Sequence, residues 1–83
     1  MSLLEYILLK LIEINELKSA EELSANWCQK NKNWAAYQRH KKSDFSVDAA
    51  INCLFHTRQR LAVNRENEAY LGLVEIEKLL VEY

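Results

Sequence analysis

Across its 83 residues the chain has no proline and one glycine, Gly72. Tight hairpin turns draw on glycine for positive φ and on proline for a preset turn, so sheets joined by such corners are hard to build here. Leu, Ile, Glu, Lys and Ala are abundant instead, and these enter helices at little cost. The expected fold class is all-α, with about five short helices. At this length the chain makes one domain, 1–83, with a modest core.

Four start signals place those helices. Ser2 with Glu5 and Ser19 with Glu22 have the S-x-x-E spacing of a capping box, where the hydroxyl accepts from the N3 amide. Ser46 precedes VDAAINCLF, with Asp48 in a first turn that favours an acid. Asn64 stands before RENEAYLGLVEIEKLLVEY as a candidate cap. The spacing predicts helices near 3–17, 20–28, 32–41, 47–62 and 65–82. The connections between them are too short to separate domains.

Several classes of protein fit poorly. LLEYILLKLIEINEL, 3–17, is interrupted by Glu5, Lys10 and Glu13, so it has no run of membrane-spanning length, and it lacks the basic leader of a secretory signal. Cys28 and Cys53 form no disulfide framework, and a reduced, cytoplasmic protein is expected. Cys28, His40, Cys53 and His56 are possible zinc ligands, but only Cys53 and His56 have paired ligand spacing. No metal and no other cofactor is expected. Without a glycine-rich phosphate loop or a G-x-S-x-G elbow, the expectation is a protein that is not an enzyme.

Net charge is −1, yet it is unevenly spread. Residues 1–26 and 64–83 each carry −3. Between them, residues 27–63 hold Lys30, Lys32, Arg39, Lys41, Lys42, Arg58 and Arg60 against Asp44 and Asp48, a net of +5. A polyanion-binding face flanked by other surfaces produces such asymmetry.

The terminal helices are unusually apolar. Leu4, Ile7, Leu11 and Ile14 form one seam in the first, with Leu8, Leu9 and Ile12 elsewhere on its circumference. In the last, Ala69, Leu73, Ile76, Leu80 and Tyr83 form an a/d-like ladder, widened by Leu71, Val74, Leu79 and Val81. The surplus points to a homodimer whose interface includes Leu73, Ile76, Leu80 and Tyr83.

The middle of the chain has a more specific pattern. Counting from Ala20, the fourth, eighth, fifteenth and eighteenth places are Leu23, Trp27, Trp34 and Tyr37, all large and apolar, and the fifth is Ser24, which is small. Two helices crossing steeply over a short turn need that arrangement. Over about 17–61 the chain resembles the repressor-like helix-turn-helix domains of small bacterial and phage proteins. Phe45, Val47, Ala50, Ile51, Leu54 and Leu61 would supply the helix that closes such a core. The ninth place departs from the pattern, being Cys28 where glycine is usual; that predicts an irregular or longer turn. The resemblance places Lys30, Asn31, Lys32, Ala35 and Ala36 in the major groove, with Arg39 and His40 one turn on. Lys41, Lys42, Arg58 and Arg60 would meet phosphates. Trp27 and Trp34 are then core residues rather than a stacking platform for single strands.

The function expected from this is a small dimeric regulator of transcription that reads double-stranded DNA with helix 32–41, while the terminal helices 3–17 and 65–82 dimerise. Its rival is a protein-interaction module, an inhibitor or adaptor, with no nucleic-acid role.

Overall fold

Two serines start the first two helices as their spacing predicts. In this computed structural model, which describes residues 1–83, Ser2 Oγ accepts from the Glu5 amide at 3.1 Å and Ser19 Oγ accepts from the Glu22 amide at 3.4 Å. The elements are α1 (Leu3–Glu13), α2 (Ala20–Glu22) running on into a π-helical turn (Leu23–Trp27), α3 (Trp34–His40), α4 (Val47–Val63) and α5 (Ala69–Glu82). All regular structure is helical. No helix is long and apolar enough to cross a membrane.

Both terminal helices are shorter than their apolar periodicity suggests. α1 stops at Glu13 because Asn15 turns left-handed, φ 61°, and two amides close back on the last turn: Asn15 on Ile12 O at 3.0 Å and Glu16 on Leu11 O at 2.9 Å. This is a Schellman ending with asparagine in the glycine position. At the other end, Asn64 does not cap α5. Its Nδ2 donates back to Arg60 O at 2.8 Å, so it finishes α4, and Asn67 Oδ1 receives the Ala69 amide at 3.0 Å where α5 begins.

One continuous cluster of 17 buried apolar residues forms the core. Leu4, Ile7, Leu8 and Leu11 come from α1, and Ala69, Leu73, Ile76 and Leu80 from α5. α5 packs against both α1 and α4. The single glycine serves this packing rather than a turn. A Cβ on Gly72 would meet Ile14 Cγ2 at 2.9 Å, so the glycine lets α5 pass close to the end of α1.

The expected dimer interface therefore lies inside the monomer. Leu73, Ile76 and Leu80 are buried within one chain, and only Tyr83 stays half exposed, its hydroxyl donating to Phe45 O at 2.6 Å. Covering α5 by α1 on one side and α4 on the other takes up the ladder, while Leu9 and Ile12 of α1 and Leu71, Val74 and Val81 of α5 stay exposed.

α4 is oriented against expectation. Its core face is Ala49, Ala50, Cys53 and Thr57. Val47, Ile51 and Phe55 face outward at 74%, 55% and 68% exposure. Val47 and Ile51 thus do not close the core; Phe45 and Ala50 do, with Leu54 and Leu61 packed at its edge.

A loop between α3 and α4 ties the ends of the chain together. Asp44 carboxylate oxygens accept the Leu3 and Leu4 amides at 2.9 Å each and the Phe45 amide at 2.8 Å. The free amides of a helix start attract an anion. Here it comes from forty residues away.

Candidate nucleic-acid interface

The segment from α2 to α3 is built around one hydroxyl. Ser24 is buried; its Oγ donates to Ala20 O at 2.9 Å and accepts the Ala35 amide at 2.8 Å. A small residue is required there, since the start of α3 rests on it. Leu23 and Trp27 are buried beside it, and Trp27 packs on His56 of α4 with ring centroids 4.4 Å apart.

The turn departs from a plain helix end. Cys28 N–H reaches Leu23 O, five residues back, and Lys30 N–H reaches Ser24 O, six back. In the Schellman ending of α1 the corresponding outer bond spans five. α3 ends the same way, with Ser43 N–H on Gln38 O and Lys42 left-handed at φ 57°. The π turn thus holds one residue more than an α turn. The left-handed residue is accordingly Gln29, φ 59°, and Cys28 stays at negative φ in the core.

That extra residue rotates α3. Its inward residues are Ala35 and Gln38, with Trp34 partly buried against the core and 6.3 Å from the Phe45 ring. Gln38 Nε2 donates to Asp44 O at 2.8 Å. Tyr37, expected inside, is 60% exposed, with Lys41 Nζ 4.7 Å from its ring centre. Ala35, expected at the DNA, is buried and cannot touch a base.

The other expected contact residues divide. Lys32 just before α3, Ala36, Arg39 and His40 on it, and Lys41 and Lys42 after it are all exposed. Asn31 is exposed, although its Oδ1 already accepts the Asn33 amide at 2.9 Å. Lys30 is held by Asp48, and that cation keeps the Asp48 carboxyl down at about 2. Arg58 and Arg60 do not extend the patch. They bind Glu77 at 2.9 Å and Glu16 at 2.6 Å, further along α4. Residues 23–43 contain no acid. Within them Lys32, Arg39, Lys41 and Lys42 hold no ion pair, whereas Lys10, Lys30, Arg58 and Arg60 do. Tyr37 and Asn33 join this face and were not foreseen. The absent glycine at Cys28 was the one available signal that the turn, and so the phase of α3, would differ.

The remaining candidates for chemistry are placed simply. Cys28 and Cys53 are both buried and unbonded. The neighbouring Cys53 thiol, together with burial, holds the Cys28 thiol above its ordinary range. His56 lies against Trp27, where burial first and then Arg60 lower its affinity for a proton. His40 is exposed at the end of α3.

Neither a curated protein nor a solved structure matches the chain. Residues 4–76, from the first core leucine of α1 to Ile76 of α5, match a family of unknown function, DUF6626, and the chain belongs to that family.

Proposed function

We propose that this protein is a small duplex-DNA-binding regulator of bacterial or phage type, working in the cytoplasm, which lays the exposed face of α3 into a groove. The carrying observation is the acid-free stretch 23–43 with its four unpaired cations, Lys32, Arg39, Lys41 and Lys42. The resemblance to helix-turn-helix domains gains support once the π turn is counted as one inserted residue. Gln29, left-handed, then falls on the ninth place, and buried Ala35 and Gln38 on the fifteenth and eighteenth. On this reading Asn33, Ala36, Tyr37 and His40 face base edges, with Lys32, Arg39, Lys41 and Lys42 against phosphates.

Binding of the chain to random duplex DNA, followed by anisotropy across a salt series, tests the reading. Three or four phosphate contacts give a slope of about −3 in log K against log salt. Lys32→Glu with Arg39→Glu is expected to abolish binding and leave the helical spectrum unchanged. No binding of the unaltered chain at low salt defeats the proposal. The competing reading, a module that works through protein contacts alone, is favoured by one observation, the outward Val47, Ile51 and Phe55 of α4.

A further inference from the structure

Independently of any DNA role, we propose that the groove between the end of α4 and the start of α5 binds a small organic acid, a carboxylate carried on a flat apolar body. The groove has a volume of about 450 Å³, within the range of small-molecule sites. On one side stand Arg58 and Leu61 of α4, with Arg65 just after it. On the other, Tyr70, Val74 and Glu77 follow one another along a single face of α5. The lining is therefore mixed, with apolar side chains between two guanidinium groups and one carboxylate.

The polar groups here have unused donors. Arg58 gives its Nε to Glu77 Oε2 at 2.9 Å, and its two terminal nitrogens make no hydrogen bond. Arg65 is exposed and forms no ion pair, although Glu66 and Glu68 follow it in the same loop. Tyr70 is half-buried, and its hydroxyl is unbonded, unlike those of Tyr6 and Tyr83. An acceptor entering the groove thus finds two guanidinium forks and a phenol without displacing any bond already made.

Charge decides the class of ligand. Arg58 and Arg65 against Glu77 leave one net positive charge in the lining, which a single carboxylate neutralises. Its planar pair of oxygens also matches the guanidinium fork. A phosphate monoester carries about −1.5 to −2 near neutral pH, so it would set surplus negative charge against Glu77. The apolar part of the lining, Leu61, Ala62 and Val74 with the Tyr70 ring, asks for more than a short acid such as acetate. The groove stays open to solvent, so one charge and a half-covered ring give weak binding, with a dissociation constant of about 1 mM.

Titration of the whole chain with 2-naphthoate to about 10 mM at constant ionic strength, followed by amide chemical shifts, tests this. Shifts should saturate together and centre on residues 58–65 and 70–77. Neutral 2-naphthamide and ringless acetate should each bind at least 5-fold more weakly. Arg65→Gln, a change at an exposed loop position, should also weaken 2-naphthoate at least 5-fold and leave the rest of the spectrum in place. The match of one charge to one is the decisive arm. 2-Naphthyl phosphate should bind the unaltered chain less tightly than 2-naphthoate, and the order should reverse in Glu77→Gln. The proposal is overturned by shifts that do not saturate, or by shifts centred on the cations of α3 instead. It is overturned equally by naphthamide binding as well as naphthoate, by an Arg65→Gln chain that binds unchanged, or by a phosphate preference already present with Glu77 in place.

Discussion

α5 and α4 carry apolar residues at similar spacing, yet they are built in opposite senses. α5 fills its core face with large residues, Leu73, Ile76 and Leu80, although Leu71 and Val81 stay in solvent. α4 turns small ones inward, Ala49, Ala50, Cys53 and Thr57, and leaves Val47, Ile51 and Phe55 in solvent. A helix flanked closely by Trp27 and Cys28 on one side and by α5 on the other has room only for short side chains facing in. Apolar periodicity locates a helix face; the space its neighbours leave decides which face is buried.

The contrast is open to attack most strongly by truncation. Ile76→Ala is expected to cost about 2–5 kcal/mol, because it empties a fully enclosed site. Ile51→Ala should change stability by no more than about 0.5 kcal/mol. Urea unfolding of both variants measures the difference; equal losses would mean that α4 is turned the other way.

Enlarging the small face sharpens the same comparison. Ala49→Leu should destabilise by about 1–3 kcal/mol, since Ala49 is fully buried and its neighbours must shift to admit an isobutyl group.

A smaller effect comes from His56 at the rim of that face. Burial lowers its pKa below the ordinary 6.5, so the unfolded chain binds its proton more readily. Stability should be full above pH 6.5 and decline as pH falls through the lower folded value. Melting temperatures between pH 7.5 and 5 should show the decline in the unaltered chain and lose most of it in His56→Phe. The smallest effect expected is at the other end of α4. Lys30 depresses Asp48, so the pair contributes above the usual carboxylate pKa of about 4 and is lost as pH falls towards about 2. Lys30→Gln should flatten that part of an acid titration while leaving neutral stability almost unchanged, because Asp48 is largely exposed and water screens the pair.

Much of the fold was legible because it is written in local chemistry. Ser2 and Ser19 announce their helices, and the five segments fall where periodicity puts them. Helix ends were less legible: Ile14 and Leu17 continue an apolar rhythm past Asn15, although the backbone has already turned. The phase of α3 was signalled only by Cys28 in the glycine place, because a π turn is a choice between hydrogen bonds to Leu23 and to its neighbours that composition does not record. That single residue moved Tyr37 out to solvent and Ala35 in. The dimer residues failed for a different reason. A surplus of leucine on α1 and α5 looks the same in sequence whether a second chain or the rest of this one covers it.

The reach of Asp44 has a consequence for how the molecule breathes. Amides in the first turn of a terminal helix ordinarily exchange with solvent by fraying, without cooperation from anything distant. Those of Leu3 and Leu4 are held by a carboxylate on the loop that also receives Gln38 Nε2 and, through Phe45, the hydroxyl of Tyr83. Deuterium should therefore enter both positions at one shared rate, set by the opening of that loop. Asp44→Ala should return them to the fast class and carry Phe45 with them. The start of this chain is expected to exchange together with that loop rather than ahead of it.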